Sequence, residues 1–484
     1  MRKFTCFLLA FLMLVLIGCG ANVNENKKPN ESVTNGAEDL TDGLNEYGDK
    51  LPDNLNYDGY EFRVLMHTGG NLTDTSWRTY VEIPEMNGDV LNDGAYERNL
   101  EVEARLNVTI KARETGSWDK ISAELAKTVL ANSDEYDYAV IGPNDNAAVL
   151  LSQNIVVDFK TMDYIDLDAP YYFHNASETF TIAGKQFLLA GEYMCSMISS
   201  VSLLFNKTLS ESLNLPSFYD VVDKGNWTFD YMMNCMKDVY SDANGDGKVN
   251  YGDIFGMTTH PVMGIYLYSS FGGTTVRIDK DGKFEMAVYN ERNVQFIDKL
   301  LQLYNSADVF VDPGKPWESF FDGNALFCYY GSSLTRLRPI DSFDFGYLPT
   351  PKYDEKQERY YNYLCGALTA VPITVSDVER TGAIIEAIYS ASHRILVPAY
   401  IASYVEQKIM RDEGSQRMYR LTLAEGIYDI TGNVDPSGKI QNYKLISELF
   451  NKKSNDLASS WAAVEIAVTE AYNNLYDEIV ASIN

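Results

Sequence analysis

Between Tyr60 and Ile141 the hydrophobic period switches repeatedly between that of a strand and that of a helix. This switching constrains the fold more than any other feature of the 484-residue chain. Tyr60-Glu-Phe-Arg-Val-Leu-Met66 alternates as a half-buried strand does, and Val108-Thr-Ile-Lys111 reads as a second strand. Between them, Asp93 to Leu106 sets Tyr96, Leu100, Val102, Ala104 and Leu106 among charges, the pattern of an amphipathic helix. Ile121 to Ala131 is a second helix, and Tyr136-Asp-Tyr-Ala-Val-Ile141 a buried strand ending at Gly142-Pro143. Strand, helix, strand, helix, strand predicts a doubly wound α/β lobe, because parallel neighbours need long crossovers between them.

Beyond this lobe, Phe187 to Leu189, Val201 to Phe205, Phe345 to Leu348 and Ala367 to Val371 read as further strands. Thr228 is placed to cap a helix that opens at Trp227-Thr-Phe-Asp230. From Asp377 the pattern turns helical: Ala383–His393, Pro398–Arg411, Ser415–Ala424, Tyr443–Asn451 and Ser459–Ile483. Roughly 425 residues of such sequence exceed what one core can hold, so two or more lobes are expected. Hydrophobic residues at 45% and charged residues at 22% fit an ordinary globular chain. The formal net charge of −28 repels nucleic acid and anionic lipid surfaces, so no nucleic-acid partner is expected.

The N-terminus has a basic start at Arg2 and Lys3, then an uncharged run from Phe4 to Ile17, as secretory leaders do. Leu16-Ile17-Gly18-Cys19 resembles the bacterial lipobox, which implies that residues 1–18 are a removed leader and that Cys19 becomes a lipidated first residue. Residues 19–58, rich in Asn, Glu, Asp, Gly and Lys, read as a flexible tether. The run is short for a membrane span, so the expected location is the extracellular face of a membrane, held there by lipid.

Cys195, Cys235, Cys328 and Cys365 are scattered, with no C-x-x-C pair. Free buried thiols are expected, one disulfide being the alternative. The chain has only four histidines, and neither H-E-x-x-H, G-x-S-x-G nor a P-loop occurs. No enzyme is expected. The competing readings are a secreted surface glycoside hydrolase, which needs only two of the many carboxylates, and a calcium-dependent carbohydrate-binding adhesin.

The sharpest local motif is Asp242-Ala-Asn244-Gly-Asp246-Gly247-Lys248-Val249-Asn250-Tyr-Gly-Asp253. Oxygen-bearing side chains fall at loop positions 1, 3, 5, 9 and 12, glycine stands at position 6, and Lys248 at position 7 would offer only its carbonyl. That spacing wraps oxygens round one point, as Ca²⁺ requires. Asp242, Asn244, Asp246, Lys248, Asn250 and Asp253 are therefore candidate ligands of a structural Ca²⁺; the alternative is an Asp/Asn/Gly turn with no ion. The exit runs into a strand-like Ile254-Phe-Gly-Met-Thr258, so a paired EF-hand is not expected.

Several segments, in order, resemble the extracellular solute-binding proteins (family 1) of carbohydrate ABC transporters, the group that includes the maltodextrin binders. These are Tyr96-Glu-Arg-Asn99 with Leu106-Asn-Val-Thr-Ile110, Phe205-Asn-Lys207, Trp227-Thr-Phe-Asp230, and Phe345-Gly-Tyr-Leu-Pro349 with Pro351-Lys352. The resemblance implies an α/β fold of the two-lobed, periplasmic-binding-protein-like type II, with a hinge between the lobes and a helical C-terminal part. It implies crossings near Gly191–Val201 and Tyr363–Thr369, and hence lobes of 59–192 plus 366–425 and of 193–365 plus 426–484. It also implies a monomer that closes on a sugar, a small-molecule solute, and delivers it to ABC permease subunits.

Sugar sites combine aromatic faces with paired polar groups, and 34 tyrosines supply the former. Ligands sit at the carboxyl ends of strands in open α/β lobes, which nominates His67, Asn144 and Asp145. Matched to the family pattern, Glu192, Tyr193, Tyr266, Tyr268 and Tyr330 join them, with Arg336 and Trp77 as outer candidates.

Overall fold

The computed structural model describes residues 44–67, 80–117, 119–142, 145–193, 201–330, 340, 342–364 and 366–481. In the first sheet the strand Tyr60–His67 lies parallel to Val108–Thr115 over its whole length, from Tyr60 opposite Val108 to His67 opposite Thr115. Tyr138–Ile141 joins its other side in parallel, and Leu368–Ala370 closes that edge antiparallel. The helix Val90–Leu106 between the first two strands starts where Asp89 accepts from the Leu91 and Asn92 N–H groups. It stops where Asn107 turns left-handed at φ 50°. Alternation along the first strand sorts its side chains. Phe62, Val64 and Met66 pack on the side of helix Val378–Ala391, whereas Leu65 faces Ile121 and Leu125 of the opposite helix. Each such fully buried side chain contributes roughly 1.5–3 kcal/mol.

The second sheet has the order 309–311, 255–259, 325–330, 202–206, 345–348. The first three strands are parallel, and Ser202–Asn206 runs against both its neighbours. Its core is aromatic: Phe218 lies 5.1 Å from Phe205, 5.2 Å from Phe327 and 5.5 Å from Trp227, ring centre to ring centre. Two of the segments noted in the sequence meet here. Trp227 Nε1 donates to the Pro349 carbonyl (3.0 Å), Lys352 N to Trp227 O (3.1 Å) and Phe229 N to Lys352 O (2.7 Å). Thr228 caps helix Phe229–Met236 as expected, accepting from Tyr231 N.

Two expectations need correction. Phe187–Leu189 forms no regular strand and contributes a single bridge, Leu189 to Thr369. Pro398–Arg411 is not an α-helix: Ala399–Ile409 winds as a π-helix, as does Ser392–Leu396 before it. Helix Glu413–Ala424 packs on the Phe345–Leu348 strand of the second sheet, where Ser415 Oγ accepts from Tyr347 N (3.1 Å). The C-terminal helix Glu465–Ala481 packs in part on Ala148–Ser152 of the first lobe. Cys235 and Cys328 are free thiols, raised by burial to about 11 and about 12. Among the described residues no helix is long and apolar enough to cross a membrane.

Candidate functional site

Register places the carboxyl edges of both sheets at the junction between the lobes. The outgoing chain enters the second sheet at Ser202, opposite Tyr330, the last residue of its strand. The returning chain enters the first sheet at Leu368, opposite Ile141, also the last residue of its strand. At the junction itself three backbone segments lie side by side. Val201 N donates to Tyr363 O (3.3 Å), Leu364 N donates to Ile427 O (2.9 Å), and Asn362–Tyr363 pairs in parallel with Gly426–Ile427. Crossings of this kind let two rigid bodies move by small backbone rotations.

Gly191-Glu192-Tyr193 opens the first crossing against a polar wall of the first lobe. A Cβ on Gly191 would stand 2.4 Å from Tyr171 O and 2.7 Å from Tyr389 Cε1, so only glycine fits. Glu192 pairs through Oε2 with Nδ1 of His393, whose side chain is 42% exposed at the start of the π-helical segment. The Glu192 hydrogen bond raises the imidazole above its ordinary value, against the opposing effect of burial. Fully buried Arg98 holds the crossing from behind, donating to Tyr193 O (2.8 Å), Tyr80 O (2.5 Å) and Asn99 Oδ1. Beside it, the buried Glu386 carboxylate accepts from the Tyr171 and Tyr172 hydroxyls and from Asp166 N. Burial lifts it to about 7.

The nominated residues divide into three groups. Glu192 stands at the junction, joined there by His393, a partner that nothing in local sequence pattern signals across 201 residues. Tyr266 is half-buried on helix Gly264–Ser270, its ring 5.1 Å from that of Tyr363 in the second crossing. Half-buried His67 ends the first strand, its imidazole lowered by burial. Tyr330 ends its strand at the junction edge.

The second group is packed away. Tyr193 and Tyr268 are fully buried. Tyr268 lies against Phe296 and Tyr443, its hydroxyl donating to Thr274 O (3.2 Å). Asp145 is only 3% exposed, and its Oδ2 accepts from Ser122 N (2.7 Å) at the start of helix Ile121–Leu130. It caps a helix whose own N-cap residue, Lys120, offers no side-chain acceptor, and burial raises it to about 6. The third group, Cys19, Trp77, Asn144 and Arg336, lies outside the described residues.

A pocket of about 300 Å³ adjoins the third junction segment, walled by Glu178, Thr179, Thr274, Arg277, Tyr428 and Asp429 among others. Its buried carboxylate, Asp429, already accepts from Thr274 Oγ1 and Thr431 N. The six candidate calcium ligands lie elsewhere, on the loop between helix Phe229–Met236 and strand Phe255–Thr259. Among the described residues no three Asp, Glu, His or Cys side chains converge as a metal cluster.

No family model and no curated protein sequence matches the chain. Solved structures do. The cyclic α-maltosyl-1,6-maltose binding protein of Arthrobacter globiformis aligns at 16% identity with a TM-score of 0.55, over 86% of this chain and 100% of that one. An ABC substrate-binding protein of Listeria monocytogenes in complex with cycloalternan aligns at 13% and 0.51, over 87% and 99%. A receptor of Streptomyces glaucescens solved with acarbose aligns at 11% and 0.52, over 85% and 99%. With two α/β lobes, carboxyl edges meeting at the crossings, and these neighbours along nearly their whole lengths, the chain has the two-lobed type II fold of the periplasmic solute-binding proteins.

Proposed function

We propose that this protein is the solute-binding component of an ABC importer, taking an oligosaccharide between its lobes and handing it to membrane permease subunits without chemical change. The observation that carries this reading is the meeting of both carboxyl edges at the crossings, the place where open α/β sheets bind ligands. Its structural neighbours include a cyclic α-maltosyl-1,6-maltose binding protein and proteins solved with cycloalternan and with acarbose, which favours an α-glucan or a relative of one. Glu192 and His393 would receive sugar hydroxyls, Tyr266 and Tyr330 would offer ring faces, and His67, Asn144 and Arg336 would complete the polar set. Closure follows if the ligand binds the closed state better than the open one. Lipid on Cys19 would hold the protein outside the cell, next to its permease.

Calorimetric titration with maltooligosaccharides and cyclic glucans tests the binding. Glu192→Gln and Tyr330→Ala should each weaken affinity by about tenfold or more, equivalent to roughly 1.4 kcal/mol. Undiminished affinity in both would remove these residues from the site. Cys19→Ala should release into the medium a protein that still binds; retention at the membrane would refute the anchor.

A further inference from the structure

The loop Asp242–Asp253 packs on the second lobe through Tyr251, whose ring lies 5.0 Å from that of Phe310, and takes no part in the proposed site. Its neck is closed by a reciprocal pair of hydrogen bonds, Ser241 N to Ile254 O and Ile254 N to Ser241 O, both 3.0 Å. Inside, Gly245 and Gly247 both stand at φ 72°, a conformation that glycine adopts without strain. The loop's carboxylates curl over its own backbone: Asp242 Oδ1 accepts from Gly245 N (2.8 Å), its Oδ2 from Gly247 N (2.9 Å), and Asp246 Oδ1 from Lys248 N (2.8 Å). Each of these oxygens has a second lone pair to give.

The decisive observation is at the twelfth position. Asp253 is fully buried. Its Oδ2 is tied back to the loop, accepting from Asn250 N (3.2 Å) and Tyr240 Oη (3.4 Å), whereas Oδ1 is buried with no hydrogen-bond partner. Among the described residues no lysine or arginine pairs with Asp242, Asp246 or Asp253. A buried carboxylate oxygen with nothing facing it is costly. The other donors that the loop carries are oxygens: the carboxylates of Asp242 and Asp246, the amide oxygens of Asn244 and Asn250, and the Lys248 carbonyl. That donor set suits neither an anion nor a soft metal, but a hard divalent cation with many oxygen ligands.

We infer that this loop binds one Ca²⁺ ion, with Asp242, Asn244, Asp246, the Lys248 carbonyl, Asn250 and Asp253 as its oxygen donors. The ion gathers Asp253 Oδ1 together with the exposed carboxylates and locks the end of helix Phe229–Met236 to strand Phe255–Thr259 of the second sheet. Mg²⁺ is disfavoured because it demands a tight octahedron and holds its waters.

The test strips the purified protein with a chelator and titrates it with CaCl₂ or MgCl₂, reading heat and melting temperature. Expected are one Ca²⁺ per chain, a rise in melting temperature on binding, and a much weaker response to Mg²⁺. Asp242→Asn, an exposed change that the fold tolerates, should weaken Ca²⁺ by about tenfold or more. Asp253→Asn should abolish the Ca²⁺ response while the stripped variant melts no lower than the stripped wild type, because it removes a buried unpaired charge. No heat and no melting shift up to about 10 mM Ca²⁺, weaker than the loosest extracellular calcium modules, would overturn the site. So would unchanged binding in both variants, or equal affinity for Mg²⁺.

Discussion

The two sheets meet at the same junction but are consolidated by different chemistry. Behind the first crossing, the first lobe is a wall of buried polar groups: Arg98 on the Tyr193 carbonyl, Glu386 between two tyrosine hydroxyls, and Tyr138 bonded to Thr369 (2.5 Å) and Tyr389 (3.1 Å). The second lobe's centre is a cluster of aromatic rings around Trp227, Phe218 and Phe327. Ring burial is non-directional and tolerates small displacements. A buried hydrogen-bond network fixes one geometry and responds to protonation. The first lobe's wall therefore fixes one geometry and responds to pH through Glu386, whereas the aromatic cluster at the centre of the second lobe carries no titrating carboxylate.

Breaking the aromatic side should have the largest effect. Trp227→Ala removes a fully buried ring and the Pro349 hydrogen bond, at a cost of roughly 3–5 kcal/mol in urea unfolding. Arg98→Ala strips the first crossing of its buried donors and should cost about 3 kcal/mol, with near-ultraviolet circular dichroism reporting the loosened tyrosine wall.

Glu386→Gln sharpens the contrast through pH. The carboxylate is raised from 4.5 to about 7 by burial, so the folded state binds the proton more tightly than the unfolded one. Stability from this group is complete below pH 4.5 and falls as pH rises to about 7, by up to roughly 3 kcal/mol. The melting temperature of Glu386→Gln should fall less than that of the wild type over that window, so that the difference between them grows from pH 4.5 to about 7. Asp145, raised to about 6, acts in the same sense between pH 3.8 and 6. The smallest effect is expected at the partly exposed Lys207–Asp412 bridge (2.7 Å) on the second lobe. There Lys207→Met should cost less than about 1 kcal/mol, and less still in high salt.

Elements governed by local pattern were legible in the sequence. The Tyr60 strand, the helix after it and the Thr228 cap all follow from period and capping chemistry within a few residues. Helix Phe229–Met236 ends where Lys237 turns extended (ψ 131°) and Asp238 left-handed (φ 62°). Apolar spacing after Ala391 does not distinguish a π-helix from an α-helix, and Pro398, which brings no N–H, sits between the two π-helical segments.

The site was less legible because its pairings are long-range. The strand-end rule led to Asp145, but that side chain caps a helix that begins 24 residues earlier in the chain. Glu192 meets His393 across 201 residues. The Tyr-Glu-Arg-Asn segment, read in sequence only as a resemblance, turns out to carry the buried Arg98 that anchors the crossing.

In the function proposed above, the lobes take up a carbohydrate and return it unchanged. Its most direct test is calorimetric titration of the purified protein with maltooligosaccharides and cyclic glucans, followed by chromatography of the recovered sugar. Saturable binding at one ligand per chain is expected, with the sugar recovered intact. No binding across both series, or recovery of shorter products, would contradict it.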